Sequence, residues 1–179
     1  LFYLPLAGST FKKTYFDAAL NRAVSRFVPA ENIVVPYETA DLQTCPNITQ
    51  VVRMSLNDLR KNQVSGFYLD IDVIPAQGDL TSVAEQTNRI DGVSPSQIDY
   101  DCTLLECHVD LDLDGYEELG EDGEPTGIKI PYIVTISSDN SQILSIRRNY
   151  DEEDEAKTKI QYFTHFKFLP GFGFYGLGL

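Results

Sequence analysis

The sequence predicts an α+β fold that is rich in strands, and three observations carry this prediction. Alternating or β-branched runs between Tyr100 and Phe168, joined by short polar turns, are typical of an antiparallel β-meander. The N-terminal lobe is also β-rich and opens with a hairpin pattern. Only two short segments carry helix signals, and both lie between the groups of strands. Strands and helices segregated in this way favour α+β over a doubly wound parallel fold.

The predicted meander begins with the strand Leu104–Asp114, which alternates strictly from residue 105 onward. Successive side chains of a strand point to opposite faces, so a half-buried strand alternates apolar and polar residues. The apolar face would hold Leu105, Cys107, Val109, Leu111 and Leu113; the polar face would hold Glu106, His108, Asp110, Asp112 and Asp114. Further strands are predicted at Ile128–Ile136, Gln142–Arg148 and Ile160–Phe168, and we expect the last of these to close the sheet.

The N-terminal lobe is predicted to start with a β-hairpin, because Thr10–Phe16 and Ala23–Val28 flank a loop of hairpin length. One turn at residues 29–32 then leads to a short extended segment, Ile33–Val35. A further strand candidate is Ile48–Arg53.

Two short helices are predicted. The first is capped by Ser55, which stands three residues before Asp58 in an approximate capping box. This helix is predicted to end at Gly66. A weaker helix spans Leu80–Asp91. Residues 67–74, between the two helices, look extended.

The predicted organisation is a single domain over residues 1–179. It consists of a β-rich lobe with one helix (1–75), a helical linker (76–97), the antiparallel meander (98–169) and a glycine-rich connector (170–179). Both ends of the sequence are apolar, whereas natural termini are usually polar, so we expect a piece of a longer protein.

Acidic residues are concentrated in two tracts. The chain has 14 Lys and Arg against 27 Asp and Glu, a net charge of −13. Eight acids lie between Asp110 and Glu124, and five are consecutive at Asp151–Glu155. Such tracts repel phosphate backbones, so the sequence argues against tight nucleic-acid binding, and solvated turn regions are the simpler interpretation.

Cys45, Cys102 and Cys107 are odd in number and lack metal-ligand spacing. Two of them would face opposite sides of one strand, so we expect free, partly buried thiols and a reducing compartment. There is no run of about 18 apolar residues, and hence no predicted membrane span.

The segment Asp110–Glu121 matches the calcium loop of an EF-hand, with acids at Asp110, Asp112, Asp114 and Glu121. Oxygen ligands at alternating positions can wrap a hard cation. However, an EF-hand loop follows a helix, and here strand periodicity runs through the first two acids. The prediction is a solvated strand end with a tight Asp-Gly turn. The alternative is an acidic calcium-binding or carboxylate-dependent enzyme module that uses these four acids.

Two other patterns lack the context that their chemistry needs. Gly171–Gly176 has the spacing G-x-G-x-x-G, but a dinucleotide site requires this motif between a strand and a helix. We therefore expect a flexible, apolar connector. His108 and His165 are the only histidines, and neither has a metal partner at a suitable spacing or a nucleophile motif. The sequence thus predicts no catalytic, cofactor-binding or metal-binding residue, no cofactor and no enzyme.

Several blocks of sequence follow one another along almost the whole chain: Leu4–Asp17, Phe27–Glu31, Gln63–Tyr68, Glu106–Asp112, Gly123–Ile128, Ile146–Tyr150 and Phe168–Gly178. In this order they resemble the portal proteins, or head-to-tail connectors, of short-tailed double-stranded DNA bacteriophages. Cys107 stands where the family pattern has an aromatic residue, and residues 76–96 are the least family-like part.

The resemblance implies a structural virion protein without catalytic residues or a cofactor. It would form a ring of identical subunits, typically twelve, at one capsid vertex through which DNA is packaged and ejected. This chain would belong to the outer wing, and residues 170–179 would lead towards the stem. The implied partners are other portal subunits, coat and scaffolding proteins, the terminase and a tail adaptor. The implied location is the virion, after assembly in the bacterial host cytoplasm.

Overall fold

The computed structural model describes residues 3–17, 20–73, 102–120, 122–171 and 173–179. It has a strand-rich α+β fold, as the sequence predicts. The helices are α1 (Tyr3–Ala7) and α2 (Leu56–Val64), and Ala30–Asn32 form one 3-10 turn. The strands are β1 (Ser9–Asp17), β2 (Arg22–Pro29), β3 (Ile33–Val34), β4 (Asn47–Met54), β5 (Cys102–Leu111), β6 (Ile130–Ser137), β7 (Ile143–Arg148) and β8 (Phe163–Lys167).

The strands form two antiparallel sheets with the orders β2-β1-β8 and β3-β4-β5-β6-β7. Strands β5, β6 and β7 are neighbours in sequence order, so this part of the predicted meander is confirmed. The expectation that the fourth strand closes the same sheet is wrong. Instead, β8 pairs with β1, from Ser9↔Lys167 to Lys13↔Phe163. The physical reason is burial, because this pairing places Phe163 in the same apolar core as Phe11.

The predicted N-terminal hairpin is confirmed. Strands β1 and β2 pair from Thr10↔Pro29 to Asp17↔Arg22. In the turn, the backbone N–H of Leu20 donates to Asp17 Oδ1 at 3.1 Å. Asn21 has a φ of 48°, a left-handed conformation that asparagine tolerates better than most residues.

The helix after Ser55 is also confirmed. Ser55 Oγ accepts a hydrogen bond from the Asp58 N–H at 3.2 Å, and Gly66 follows the helix with a φ of +76°. The helix predicted at Leu80–Asp91 lies outside the described residues. Helix α1 was not predicted, because its short segment around Pro5 carries no helix signal in the sequence. The two described helices have five and nine residues, and neither is long or apolar enough to cross a membrane.

The chain divides into two compact units, each with its own apolar core. The first unit comprises Leu1–Gln50, Cys107–Ile133 and Arg147–Leu179, and the second comprises Val51–Glu106 and Val134–Ile146. The first core is built from Phe11, Val28, Ile33, Leu42, Cys45, Ile48, Phe163 and Phe174. The second is built from Leu59, Tyr68, Cys102, Leu104 and Leu144. The lobe boundaries drawn from the sequence stay a prediction.

The burial of β5 differs from the predicted one. Its most buried residues are Cys102, Leu104 and His108, whereas the five residues of the predicted apolar face are only partly buried. His108 was expected on a polar face but is only 2% exposed. Its ring packs edge-on against Tyr162 and Phe163, at centroid distances of 5.6 and 5.2 Å. Aromatic side chains from far along the chain therefore bury His108, although the other residues of the predicted polar face stay partly or fully exposed.

Candidate functional site

The acidic segment after β5 forms a turn. Strand β5 ends at Leu111, so Asp110 lies in the strand and Asp112 and Asp114 follow it. The backbone N–H of Tyr116 donates to Leu113 O at 2.9 Å, and Gly115 has a φ of +82°. The predicted tight Asp-Gly turn is therefore confirmed.

The fourth acid of the calcium-like spacing, Glu121, lies outside the described residues. Within the described part of the chain, no group of three or more His, Cys, Asp or Glu side chains is arranged to hold a metal ion. Asp110 is half-buried, and its Oδ1 has no hydrogen-bond partner among the described residues.

Asp110 lines a cavity of about 610 Å³ together with three lysines, Lys129, Lys157 and Lys159. Two of these lysines already have partners. Lys157 forms an ion pair with Glu118, and Lys159 Nζ donates to Cys45 O at 2.6 Å. The bond between Lys159 and Cys45 joins two residues of the cavity lining, and Glu118 balances the charge of Lys157, which favours structural roles for these two lysines over binding of a small anion.

The two ends of the described chain meet backbone to backbone. The N–H of Phe168 donates to Gly8 O at 2.9 Å, and the N–H of Leu179 donates to Pro5 O at 2.7 Å. Gly8 has a φ of +73°, and a Cβ built on it would lie 2.6 Å from Gly178 N and closer still to Gly176 O. Such distances are too short for a real Cβ, so glycine is required at position 8. We call this contact the terminal clasp.

The expectation that residues 171–176 form a flexible connector is wrong for the described part of that segment. A bridge between Leu169 and Leu177 closes it into a loop, with the Leu177 N–H bonded to Leu169 O at 2.8 Å. Phe174 is 5% exposed in the first core, and Tyr175 Oη donates to Ile33 O at 2.7 Å. Buried aromatic side chains, which the sequence shows only as spacers between glycines, hold the segment in place.

Behind the clasp, a serine and a histidine form a pair. His165 Nε2 lies 3.0 Å from Ser9 Oγ, and the same oxygen accepts the N–H of Gly176 at 2.7 Å. The His165 ring stacks on Phe11 at 4.3 Å and packs against Phe174 at 4.6 Å. Burial, together with the nearby positive charge of Lys167, lowers the pKa of His165 from 6.5 to about 4.

A serine beside a neutral histidine is the geometry of an activated nucleophile. Here, however, Ser9 is completely buried, and its oxygen already accepts a backbone hydrogen bond. A substrate carbonyl has no access to that oxygen in this structure. The pair therefore serves packing, because it links β1, β8 and the terminal loop. The sequence contains no local signal for it, since the two residues are 156 positions apart.

The remaining residues singled out in the sequence are dispersed. His108 is buried between aromatic rings of the first unit. Cys45 and Cys102 are buried and Cys107 is partly buried, and none of the three forms a disulfide in the described chain. Thr49 Oγ1 lies 3.5 Å from Cys107 Sγ, and Cys102 Sγ donates to Met54 O at 3.2 Å. The thiols are thus engaged as small, weakly polar core groups.

A comparison of the sequence with models of protein families gives no match, and a comparison with curated proteins gives none either.

Proposed function

We propose that this chain is a structural part of a bacteriophage portal, in the outer wing of the ring. Through this ring, at one capsid vertex, DNA is packaged and ejected, and the terminase docks on it during packaging. The observation that carries the proposal is the ordered series of sequence blocks described above, which extends from Leu4 to Gly178. In this role the chain has no reaction to catalyse and no cofactor of its own.

The terminal clasp gives the series a physical basis. The blocks Leu4–Asp17 and Phe168–Gly178 are the most distant in sequence, yet a backbone hydrogen bond from the Phe168 N–H to Gly8 O joins them. Glycines in both blocks allow this approach, and Phe11 and Phe174 stack at 5.9 Å in one core. Because the two blocks meet in one contact, each limits which residues the other can accept. This mutual limit accounts for a recognisable sequence pattern at both places.

Two other blocks each contain residues with packing or loop-holding roles. In Gln63–Tyr68, the amide of Gln63 donates to Ile71 O at 2.7 Å, and Tyr68 lies in the second core. In Ile146–Tyr150, Asn149 is buried, and its side-chain amide donates to Ile160 O at 3.3 Å. These residues hold loops in place, which suits a rigid structural module.

The proposed partners follow from the proposed role. They are neighbouring portal subunits in a ring of about twelve, coat and scaffolding proteins, the terminase and a tail adaptor. The proposed location is the portal vertex of a virion that is assembled in the bacterial cytoplasm. The two acidic tracts suit a region of the ring that does not grip DNA.

Electron microscopy of the full product of the gene that encodes this chain tests the proposal. We expect negatively stained particles to be rings with a central channel. In the gene, long stem helices should follow residue 179, and a gene for a terminase large subunit should lie nearby. A gene product that stays monomeric, in a genomic region without packaging genes, would contradict the proposal.

A further inference from the structure

The cavity of about 610 Å³ belongs entirely to the first unit. Asp110, near the end of β5, and Pro131, in the neighbouring strand β6, contribute to its lining, and so does Lys129, just before β6. The other lining residues lie in the segments 43–46 and 157–161. The volume of the cavity falls within the range of about 300–1,000 Å³ that is usual for small-ligand sites.

Hydrogen bonds join the two loop segments that line the cavity. Lys159 Nζ donates to Cys45 O at 2.6 Å, and Gln161 Nε2 donates to Leu42 O at 2.8 Å. The side chains that make these bonds belong to the lining themselves. The walls are therefore preformed, and a ligand would not have to order them, which lowers the cost of binding.

Two charged side chains of the lining have no partner among the described residues. Neither oxygen of the Asp110 carboxylate accepts a hydrogen bond from a described residue, and Oδ1 is shielded from solvent. Lys129 is exposed, and no described acid forms an ion pair with it. A carboxylate oxygen that is buried without a donor is costly, so Asp110 requires a donor at its other oxygen. Because Asp110 lines the cavity, a ligand there can supply that donor.

The signs of the charges select the class of ligand. Besides Asp110 and Lys129, the lining holds Lys157, whose charge Glu118 balances, and Lys159, whose ammonium donates to a neutral carbonyl. A simple cation would meet Asp110 but would be repelled by the lysines. A simple anion would meet Lys129 but would leave Asp110 without a donor. A ligand that carries both an ammonium and a carboxylate satisfies both groups.

We infer that this cavity binds a small zwitterion of the amino-acid or dipeptide class. The ligand ammonium would donate to Asp110, and the ligand carboxylate would accept from Lys129, so that both hydrogen bonds are charge-assisted. An extended dipeptide spans roughly 7 Å, and the long side chain of Lys129 can adapt to ligands of this size or shorter. The inference does not depend on the portal proposal, and either can fail without the other.

An NMR titration of the isotope-labelled 179-residue chain with L-alanyl-L-alanine tests the inference. We expect saturable shifts of the amide signals of segments 43–46 and 157–161 and of Asp110. The dissociation constant should be on the order of 1 mM, because Lys129 is exposed and its ion pair with the ligand is weakened by water. The N-acetylated dipeptide and the dipeptide amide each lack one of the two charges. Each should bind at least fivefold more weakly.

Asp110→Asn and Lys129→Gln should each weaken the binding of L-alanyl-L-alanine at least fivefold. Asp112→Asn is the matched control for the first variant, because it removes the same charge from an exposed side chain outside the lining. It should bind the dipeptide as the wild type does. Without ligand, Asp110→Asn should unfold at the same urea concentration as the wild type or at a higher one, because no described residue donates to the carboxylate that is replaced.

The inference is overturned by a titration in which no amide signal shifts saturably up to about 20 mM dipeptide, or in which the saturable shifts lie outside the cavity lining. Equal binding of the N-acetylated dipeptide would also overturn it, because the ammonium would then not be recognised. Binding that Asp110→Asn leaves unchanged has the same consequence. A marked loss of stability in Asp110→Asn would assign the carboxylate to the fold instead of a ligand.

Discussion

Gly8→Ala should destabilise the first unit far more than an ordinary glycine substitution. Two costs are expected. The first is conformational, because Gly8 has a φ of +73°, and alanine pays about 1–2 kcal/mol in the left-handed region. The second is steric, because the new Cβ would lie 2.6 Å from Gly178 N and would overlap Gly176 O. Both of these are backbone atoms, so the terminal loop must move.

The size of the steric cost follows from what holds the loop. Moving it would break the backbone hydrogen bonds Phe168–Gly8 and Leu179–Pro5, each worth about 1 kcal/mol net. It would also disturb Phe174, whose burial is worth about 1.5–3 kcal/mol. We therefore expect Gly8→Ala to lower the free energy of unfolding by about 3–5 kcal/mol beyond the conformational cost. This is a large part of the roughly 5–15 kcal/mol that stabilises a typical domain.

Gly127→Ala is the matched control. Gly127 belongs to the same unit and has a φ of +68°, but a Cβ built there meets no described atom within 4 Å. The free energy of unfolding of Gly127→Ala should fall only by the conformational cost. Urea unfolding followed by circular dichroism measures both variants, and limited proteolysis should cut Gly8→Ala in the terminal loop. If the two variants unfold within about 0.5 kcal/mol of each other, the terminal clasp does not constrain position 8.

Four further predictions concern pH, a helix cap, calcium and DNA. The pKa of folded His165 is about 4 against 6.5 when unfolded, so the unfolded chain takes up a proton first and stability falls as the pH drops from 6.5 to 4. After a discount for the half-buried ring, the expected loss of unfolding free energy is about 1–2 kcal/mol. Urea unfolding at both pH values should show that His165→Phe abolishes this loss. An undiminished loss in the variant would mean that other groups cause it. Ser55→Ala should cost about 1 kcal/mol in the same assay, because the Asp58 N–H loses its acceptor, and a neutral result would mean that the cap is replaced by water. Calorimetric titration with calcium should show no saturable site, whereas micromolar binding that Asp112→Asn removes would support the calcium alternative. Fluorescence anisotropy at about 50 mM salt and micromolar protein should detect no duplex DNA binding, and tight binding that salt disrupts would contradict the wing assignment.

The parts of the fold that the sequence predicted correctly depend on neighbouring residues. The hairpin of β1 and β2 follows from two strand-forming runs and a short loop between them. Helix α2 begins where Ser55 can bond to Asp58, three residues away. The turn at Gly115 needs only a residue that tolerates a positive φ. In each case the energetic preference lies within a few residues, so the pattern is visible in the chain itself.

The errors concern contacts that link distant residues. The partner of β8 depends on the burial of Phe163 with Phe11, and the face of β5 that is buried depends on rings from residues 162 and 163. The composition of the terminal loop suggested flexibility, because glycine spacing does not reveal that Phe174 will fill a core.

By itself, then, the sequence determined the strand-rich class, the hairpin, the capped helix and the acidic turns. Only the tertiary structure decided that β8 joins the first sheet, that the two described chain ends form a clasp, and that His165 meets Ser9 across 156 positions. The physical reason is the range of the interactions. Backbone preferences and caps act within one turn of chain, whereas the choice among possible burial partners depends on which apolar surfaces fit together after the chain has folded.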